Sequence, residues 1–182
     1  MDDARTLARP LPEVDGDVDL ADARAAAIDP AAFDAIYRRH RLAVYRYARS
    51  RTRSDDDALE LTSVTFERAL RSIESFRPRG GGMAAWLLRI ARNAAIDDAR
   101  RTARRVVGNA GAEPIAPAGA DHADLRLLVA ALPARQRDAI DLRYAGGLTA
   151  REIGWVLSIS EGAAQKHLER ALQALREAYR DD

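Results

Sequence analysis

The sequence has no cysteine in 182 residues, which excludes disulfides, thiolate zinc sites and cysteine nucleophiles. Histidine is nearly as scarce. His40, His122 and His167 stand far apart, so no imidazole cluster with metal-ligand spacing is present, and no cofactor is expected. Aromatic residues make up 5% of the chain, and no apolar run approaches the roughly 20 residues that cross a bilayer. Residues 1–10 also lack the basic-then-apolar order of a secretory signal, so a cytoplasmic location without membrane insertion is expected. Lysine is almost missing, since Lys166 is the one lysine among 29 basic residues. Drift toward Arg and Ala explains that bias as readily as a use for planar guanidinium groups on phosphates and base edges.

What is present is a segregation of charge hidden behind a net charge of +1. Residues 1–30 hold eight acids against three arginines, whereas residues 31–105 hold 17 arginines against nine acids. Residues 106–122 add two acids, and residues 123–182 balance nine bases with nine acids. On this basis 1–28 reads as an acidic flexible tail, 29–105 as a basic helical domain, 106–122 as a linker rich in Gly, Ala and Pro, and 123–182 as a neutral helical domain. The expected fold class is all-α: two small helical domains joined by a flexible linker, the C-terminal one a helix-turn-helix.

Local signals support the division. Asp29-Pro30 is a helix start, with a carboxylate to cap free amides and a proline where a missing N–H costs nothing. Phe33, Ile36, Tyr37, His40, Val44 and Tyr47 then recur on one face. Ser54 with Asp55, Asp56 and Asp57 starts a second helix, whose inner face carries Ala58, Leu61, Thr62, Thr65, Phe66 and Ala69. Arg77, Pro78, Arg79 and Gly80 to Gly82 break the helical pattern before a third helix over 83–105, with Trp86, Leu87, Ile90, Ala91 and Ala94 at core spacing. In the second domain Thr149 and Glu152 form a capping box, and a three-residue turn over 158–160 separates that short helix from a longer one capped by Ser160.

In a helix-turn-helix the second helix enters the DNA major groove and its N-terminal side chains meet base edges. Here those residues are Glu161, Gln165, Lys166, His167, Glu169 and Arg170. An ordinary helical hairpin with a polar solvent face has the same local sequence, and the neutral charge of this domain favours that reading slightly. The first domain carries more charge: Arg77, Arg79, Arg89, Arg92, Asn93, Arg100, Arg101, Arg104 and Arg105 surround a glycine-rich turn, the combination that holds single-stranded nucleic acid. Trp86, at helical spacing with Leu87 and Ile90, reads as core rather than as a base-stacking platform. An enzyme acting on nucleic acid would need a metal cluster or a nucleophile-base pair, and the acids Asp55 to Asp57 are already explained by a helix start.

Several stretches together resemble the extracytoplasmic-function (ECF) group of bacterial RNA polymerase sigma factors, over residues 33–101 and 127–179. DALELTSVTFERA (57–69) resembles the family's polymerase-binding helix and WLLRIARNAAIDDARR (86–101) its promoter-melting helix. ALPARQR (131–137) and LRYAGGLT (142–149) precede Glu152-Ile153 and Ser160-Glu161-Gly162 in the family's order. The resemblance implies that Asp57, Glu60, Leu61, Ser63, Glu67 and Arg71 bind core polymerase. It implies that Arg77, Arg79, Arg89, Arg92, Asn93, Asp97, Arg100 and Arg101 hold the minus-ten element, including an unstacked non-template base. Ser160, Glu161, Gln165, Lys166, His167 and Arg170 would read the minus-thirty-five duplex. An anti-sigma protein is a further implied partner, and the acidic tail is expected to be dispensable for promoter opening.

The sequence departs from the family pattern at Leu59, Ser63 and Val64, where acids or an amide are usual, and at Ala163, Ala164, Gln165 and His167 on the recognition helix. Lost basic residues there imply weak duplex binding with a shallow salt dependence. A stand-alone helix-turn-helix regulator is the alternative reading; it leaves the basic third helix without a role.

Overall fold

The computed structural model describes residues 16–78, 80–107 and 123–180. Arg79 and most of the expected linker lie outside those residues. Helices account for the fold, and no strand occurs among the described residues.

The first lobe begins earlier than charge and periodicity suggest. Residues 16–28, expected to belong to a flexible tail, form helix α1 (Gly16–Ile28). It is held by contacts that hydropathy patterning does not register: Ala23 and Ala26 are buried, and Asp19 is 2% exposed. The Asp19 carboxylate accepts a hydrogen bond of 2.8 Å from Arg39 and lies 3.2 Å from Nε2 of His40. Arg39 also lies 2.9 Å from Asp22.

The expected start at Asp29 is present. Its side chain accepts from the Ala31 N–H at 2.9 Å at the head of a 3-10 turn (Pro30–Ala32) that leads into α2 (Phe33–Arg51). Ser54 likewise accepts from Asp57 N–H at 3.1 Å to open α3 (Asp55–Arg71). α4 (Met83–Val107) follows the arginine-glycine loop. Phe66 of α3 meets Phe33 and Tyr37 edge-on, with ring centroids 6.2 and 4.9 Å apart, which locks α2 against α3.

The second lobe comprises α5 (Ala123–Ala131), α6 (Ala134–Ile140), α7 (Ala150–Leu157) and α8 (Glu161–Arg180). α6 runs on into a π-helical turn (Asp141–Ala145), closed by the Gly146 N–H donating to Asp141 O at 3.0 Å. Both members of the Thr149/Glu152 capping box are made. Ser158, in the left-handed region at φ 56°, turns the chain between α7 and α8, and Ser160 accepts from Ala163 N–H at 3.2 Å.

The two lobes are docked as well as joined through the chain. Leu87, Leu88 and Ala91 of α4 share one apolar core with Ala139, Leu142, Leu148, Ile153 and Val156. Gly146 permits this approach, because a Cβ there would come within 2.6 Å of the Leu88 side chain.

Candidate nucleic-acid interface

Helical spacing places Asp57, Glu60, Ser63, Glu67 and Arg71 along one exposed stripe of α3. Arg71 and Glu67 form a surface pair at 3.4 Å, of the kind worth little to stability. Leu61 does not belong to that stripe. It is 8% exposed and packs with Ala48, Ala58 and Ala94, so a partner cannot reach most of it. Its position three residues from Ala58 and four from Thr65 puts it on the inner face. Leu59, by contrast, is 55% exposed and gives the surface an apolar element.

The arginine-rich side of the first lobe is built by the turn before α4 and by α4 itself. Ser75, Arg77, Trp86, Arg89, Asn93 and, from the second lobe, Trp155 line a cavity of about 350 Å³. Arg77 donates to the carbonyls of Glu74 and Phe76, both at 2.7 Å, which pins the guanidinium beside the loop. Trp86 is half-buried with its ring edge-on to Phe76 at 5.4 Å, so it serves the core and also shows a face to the cavity. Asn93 and Arg100 are exposed. A second, basic groove of about 760 Å³ lies between α3 and α4, lined by Arg68, Asp97, Arg100, Arg101 and Arg104. Asp97 is paired with Arg68 at 3.2 Å and Arg101 with Asp98 at 3.2 Å. Arg79 lies outside the described residues.

Two of the expected α4 readers point at the other lobe. The Arg89 guanidinium stacks 4.9 Å from the ring centroid of Trp155, a cation–π contact. Arg92 donates twice to one oxygen of Asp138, at 2.7 and 3.0 Å. The other Asp138 oxygen accepts from Arg51 at 2.8 Å, and Arg51 also donates to Asp141 at 2.9 Å. Asp138 and Asp141 are each 4% exposed. Burial pushes the Asp141 carboxyl up to about 6 against the pull of Arg51. Burial also raises the Tyr47 phenol beside this cluster. The Arg51 guanidinium is stabilised in its charged form, because Tyr47, Asp141 and Asp138 together outweigh its desolvation.

On α8, Glu161, Gln165, Lys166 and Arg170 are exposed near the helix start, as the helix-turn-helix geometry requires. Ser160 spends its hydroxyl on the helix cap. His167 is half-buried and its Nδ1 is buried, so it sits at the margin of this surface. Sequence reasoning missed Arg51, Asp138, Asp141 and Trp155. The available signal was two acids three residues apart amid Ala139, Ile140 and Leu142, where a solvated face is not expected.

The segments carrying these two surfaces match two family models: Sigma-70 region 2 over residues 36–105 and Sigma-70 region 4 over residues 122–175. The ECF RNA polymerase sigma factor SigL of Mycobacterium tuberculosis (strain H37Rv) is 33% identical over 162 residues, covering 84% of this chain and 91% of SigL. The chain belongs to the ECF family of RNA polymerase sigma factors. BldN of Streptomyces coelicolor is 32% identical over 170 residues, or 87% of this sigma factor. SigE of Mycolicibacterium smegmatis is 32% identical over 157 residues, or 80% of it. The alignments span 64% of BldN and 60% of SigE. Among solved structures, CnrH in complex with the cytosolic domain of CnrY superposes with a TM-score of 0.71 at 26% identity, covering 92% of this chain and 99% of CnrH. The sigma factor RpoE in complex with the anti-sigma factor NepR from Bartonella quintana gives 0.69 at 25% identity, covering 82% and 98%. Region 2 of this sigma factor thus takes in most of α2 with α3 and α4, region 4 takes in α5 to α7 and most of α8, and α1 lies outside both matches.

Proposed function

We propose that this sigma factor binds core RNA polymerase, directs it to one class of promoters and helps to part the DNA strands there. The observation that carries the reading is the presence of both matched regions in one chain, each with the surface its task needs. The α3 stripe of Asp57, Glu60, Ser63, Glu67 and Arg71 is exposed and free of core duties, which suits a polymerase contact. The cavity beside Trp86, Arg89 and Asn93 supplies cationic and amide groups around a recess, suited to an unstacked base whose extraction from the duplex costs a few kcal/mol. Arg77, Arg79, Arg92, Asp97, Arg100 and Arg101 complete the minus-ten surface. The exposed start of α8, through Glu161, Gln165, Lys166 and Arg170, reads the minus-thirty-five duplex in the major groove, where Gln pairs with adenine and Lys or Arg with guanine.

The protein acts by binding alone, with no bond made or broken by its own residues, and works in the cytoplasm beside its polymerase. No helix of the described residues is long and apolar enough to cross a membrane. An anti-sigma protein as a regulatory partner is supported by RpoE, solved in complex with the anti-sigma factor NepR. A stand-alone regulator is disfavoured, because it gives the region 2 surface nothing to bind.

Gel filtration of the full chain with purified core polymerase tests the reading. Wild type is expected to co-elute. Glu67→Lys, an exposed change with at most about 0.5 kcal/mol effect on the fold, is expected to weaken association at least tenfold. Failure of the wild-type chain to associate with core would reject the proposed function.

A further inference from the structure

The chain has two tryptophans, Trp86 on α4 and Trp155 on α7, and although they belong to different lobes both line the same cavity of about 350 Å³. Arg77, Arg89, Ile90 and Asn93 form most of the remaining wall, and no acid lines it among the described residues. Gly80, at φ +74°, makes room for the second indole, because a Cβ there would overlap the Trp155 ring. The Arg89 guanidinium lies over that ring, 4.9 Å from its centroid, which holds it in place with no carboxylate partner among the described residues. Arg77 is fixed through Nη1 alone, by the carbonyls of Glu74 and Phe76, which leaves the rest of its fork for an anion. Asn93 is exposed, and its amide has no hydrogen-bond partner among the described residues.

A half-buried indole offers a stacking face for a flat ring. Two guanidinium groups that no acid cancels suit a phosphate, and a free amide matches the donor and acceptor edge of adenine. The volume is at the small end of the range for ligand pockets, about 300–1,000 Å³, which suits a single nucleotide. We propose that this recess is a binding site for a free adenine mononucleotide. The base stacks on Trp86 with its edge on Asn93, the phosphate lies between Arg77 and Arg89, and Trp155 of region 4 is the far wall. A base turned out of a DNA strand needs only the region 2 part of this wall, whereas the free nucleotide is held by both lobes. Its binding therefore stabilises the docked chain by mass action. Because Trp86, Arg89 and Asn93 also serve the minus-ten strand, a bound nucleotide keeps that strand out; this consequence rests on the proposed function, and the site itself rests on the cavity.

Both tryptophans lie in the site, so the indole fluorescence of the full chain, excited at the red edge of the indole band, reads this cavity and no other place. Titration with AMP is expected to change it saturably, with half the effect on the order of 0.1 mM or below. Adenosine, which lacks the phosphate, and CMP, which lacks the adenine edge, are each expected to bind at least tenfold more weakly. Asn93→Ala and Arg77→Ala, both at exposed positions, are expected to weaken AMP at least tenfold, as is Trp155→Ala read by Trp86 alone. Circular dichroism checks that helicity is kept, and Trp155→Leu takes the place of Trp155→Ala if that variant loses it. No saturable change up to about 1 mM AMP would overturn the site. So would equal affinity for adenosine, or a response untouched by Asn93→Ala and Arg77→Ala. Unchanged AMP affinity in the folded Trp155 variant would reduce the site to a base pocket of region 2 and overturn the two-lobe proposal. A wild-type chain that fails to bind core polymerase rejects the proposed function instead, and leaves the AMP result standing.

Discussion

Asp19 offers a strong test of how the first lobe is held, because a 2%-exposed carboxylate on α1 is tied to two cationic or polar groups of α2. Replacing it with alanine leaves His40, itself 3% exposed, without its partner and removes one of the two acids on Arg39. Removing one member of a buried pair costs about 3–5 kcal/mol. Arg39 is 28% exposed in its side chain and keeps Asp22, which reduces the penalty on its side. We therefore expect Asp19→Ala to lose about 2–3 kcal/mol, or roughly 5–10 °C in Tm for a chain of this length. The pH dependence has a defined sign. Burial raises the Asp19 carboxyl, but His40 and Arg39 outweigh that and hold it below its ordinary 3.8. Its contribution is thus fully present above that value and is lost as pH falls through the lowered one. Urea unfolding of both proteins at several pH values is the assay, with a gap that is present at about pH 5 and closes below about 4. A loss under about 0.5 kcal/mol would show that α1 is only a peripheral strap, as the tail expected from sequence would be. For the same reason, deletion of residues 2–28 removes α1 and is expected to destabilise the basic lobe.

Two further predictions concern the second lobe and its docking. Thr149→Ala removes the hydroxyl that accepts from Glu152 N–H at 3.3 Å and is expected to cost about 1 kcal/mol in urea unfolding; no loss would mean that packing of Ile153 and Val156 fixes α7 without the cap. Asp141, raised to about 6 and faced by Arg51, Ser50, Asp138 and Tyr47, works in the opposite sense to Asp19. The folded chain binds this proton more tightly than the unfolded one does, so stability is expected to rise as pH falls from about 7 to 5, by about 1 kcal/mol, and that rise is expected to vanish in Asp141→Asn. A Tm that falls steadily over that range in the wild type would contradict this assignment.

The helices were legible where a cap and a period coincide. Asp29-Pro30, Ser54 with its three aspartates, and the Thr149/Glu152 box each mark a start that the structure contains. The outward residues of α3 and α8 followed from spacing once those starts were set. Leu61 shows the limit of carrying roles over by position, since its own helical register had already placed it inside. α1 was hidden because Gly16–Ile28 is short in large apolar residues, and its stability comes from Asp19 meeting residues 20 and 21 positions away. The docked interface was hidden for the same physical reason. Arg51 and Asp138 are 87 positions apart, and no local pattern pairs them. Arg89 and Arg92 were legible as a cationic face, but not as groups already engaged by Trp155 and Asp138.

The most direct measurement is run-off transcription by purified core RNA polymerase on a fragmented genomic library, with and without the full chain. The prediction is a small set of discrete transcripts that require the chain and share spaced upstream elements. Transcripts no different from those of core polymerase alone would contradict it.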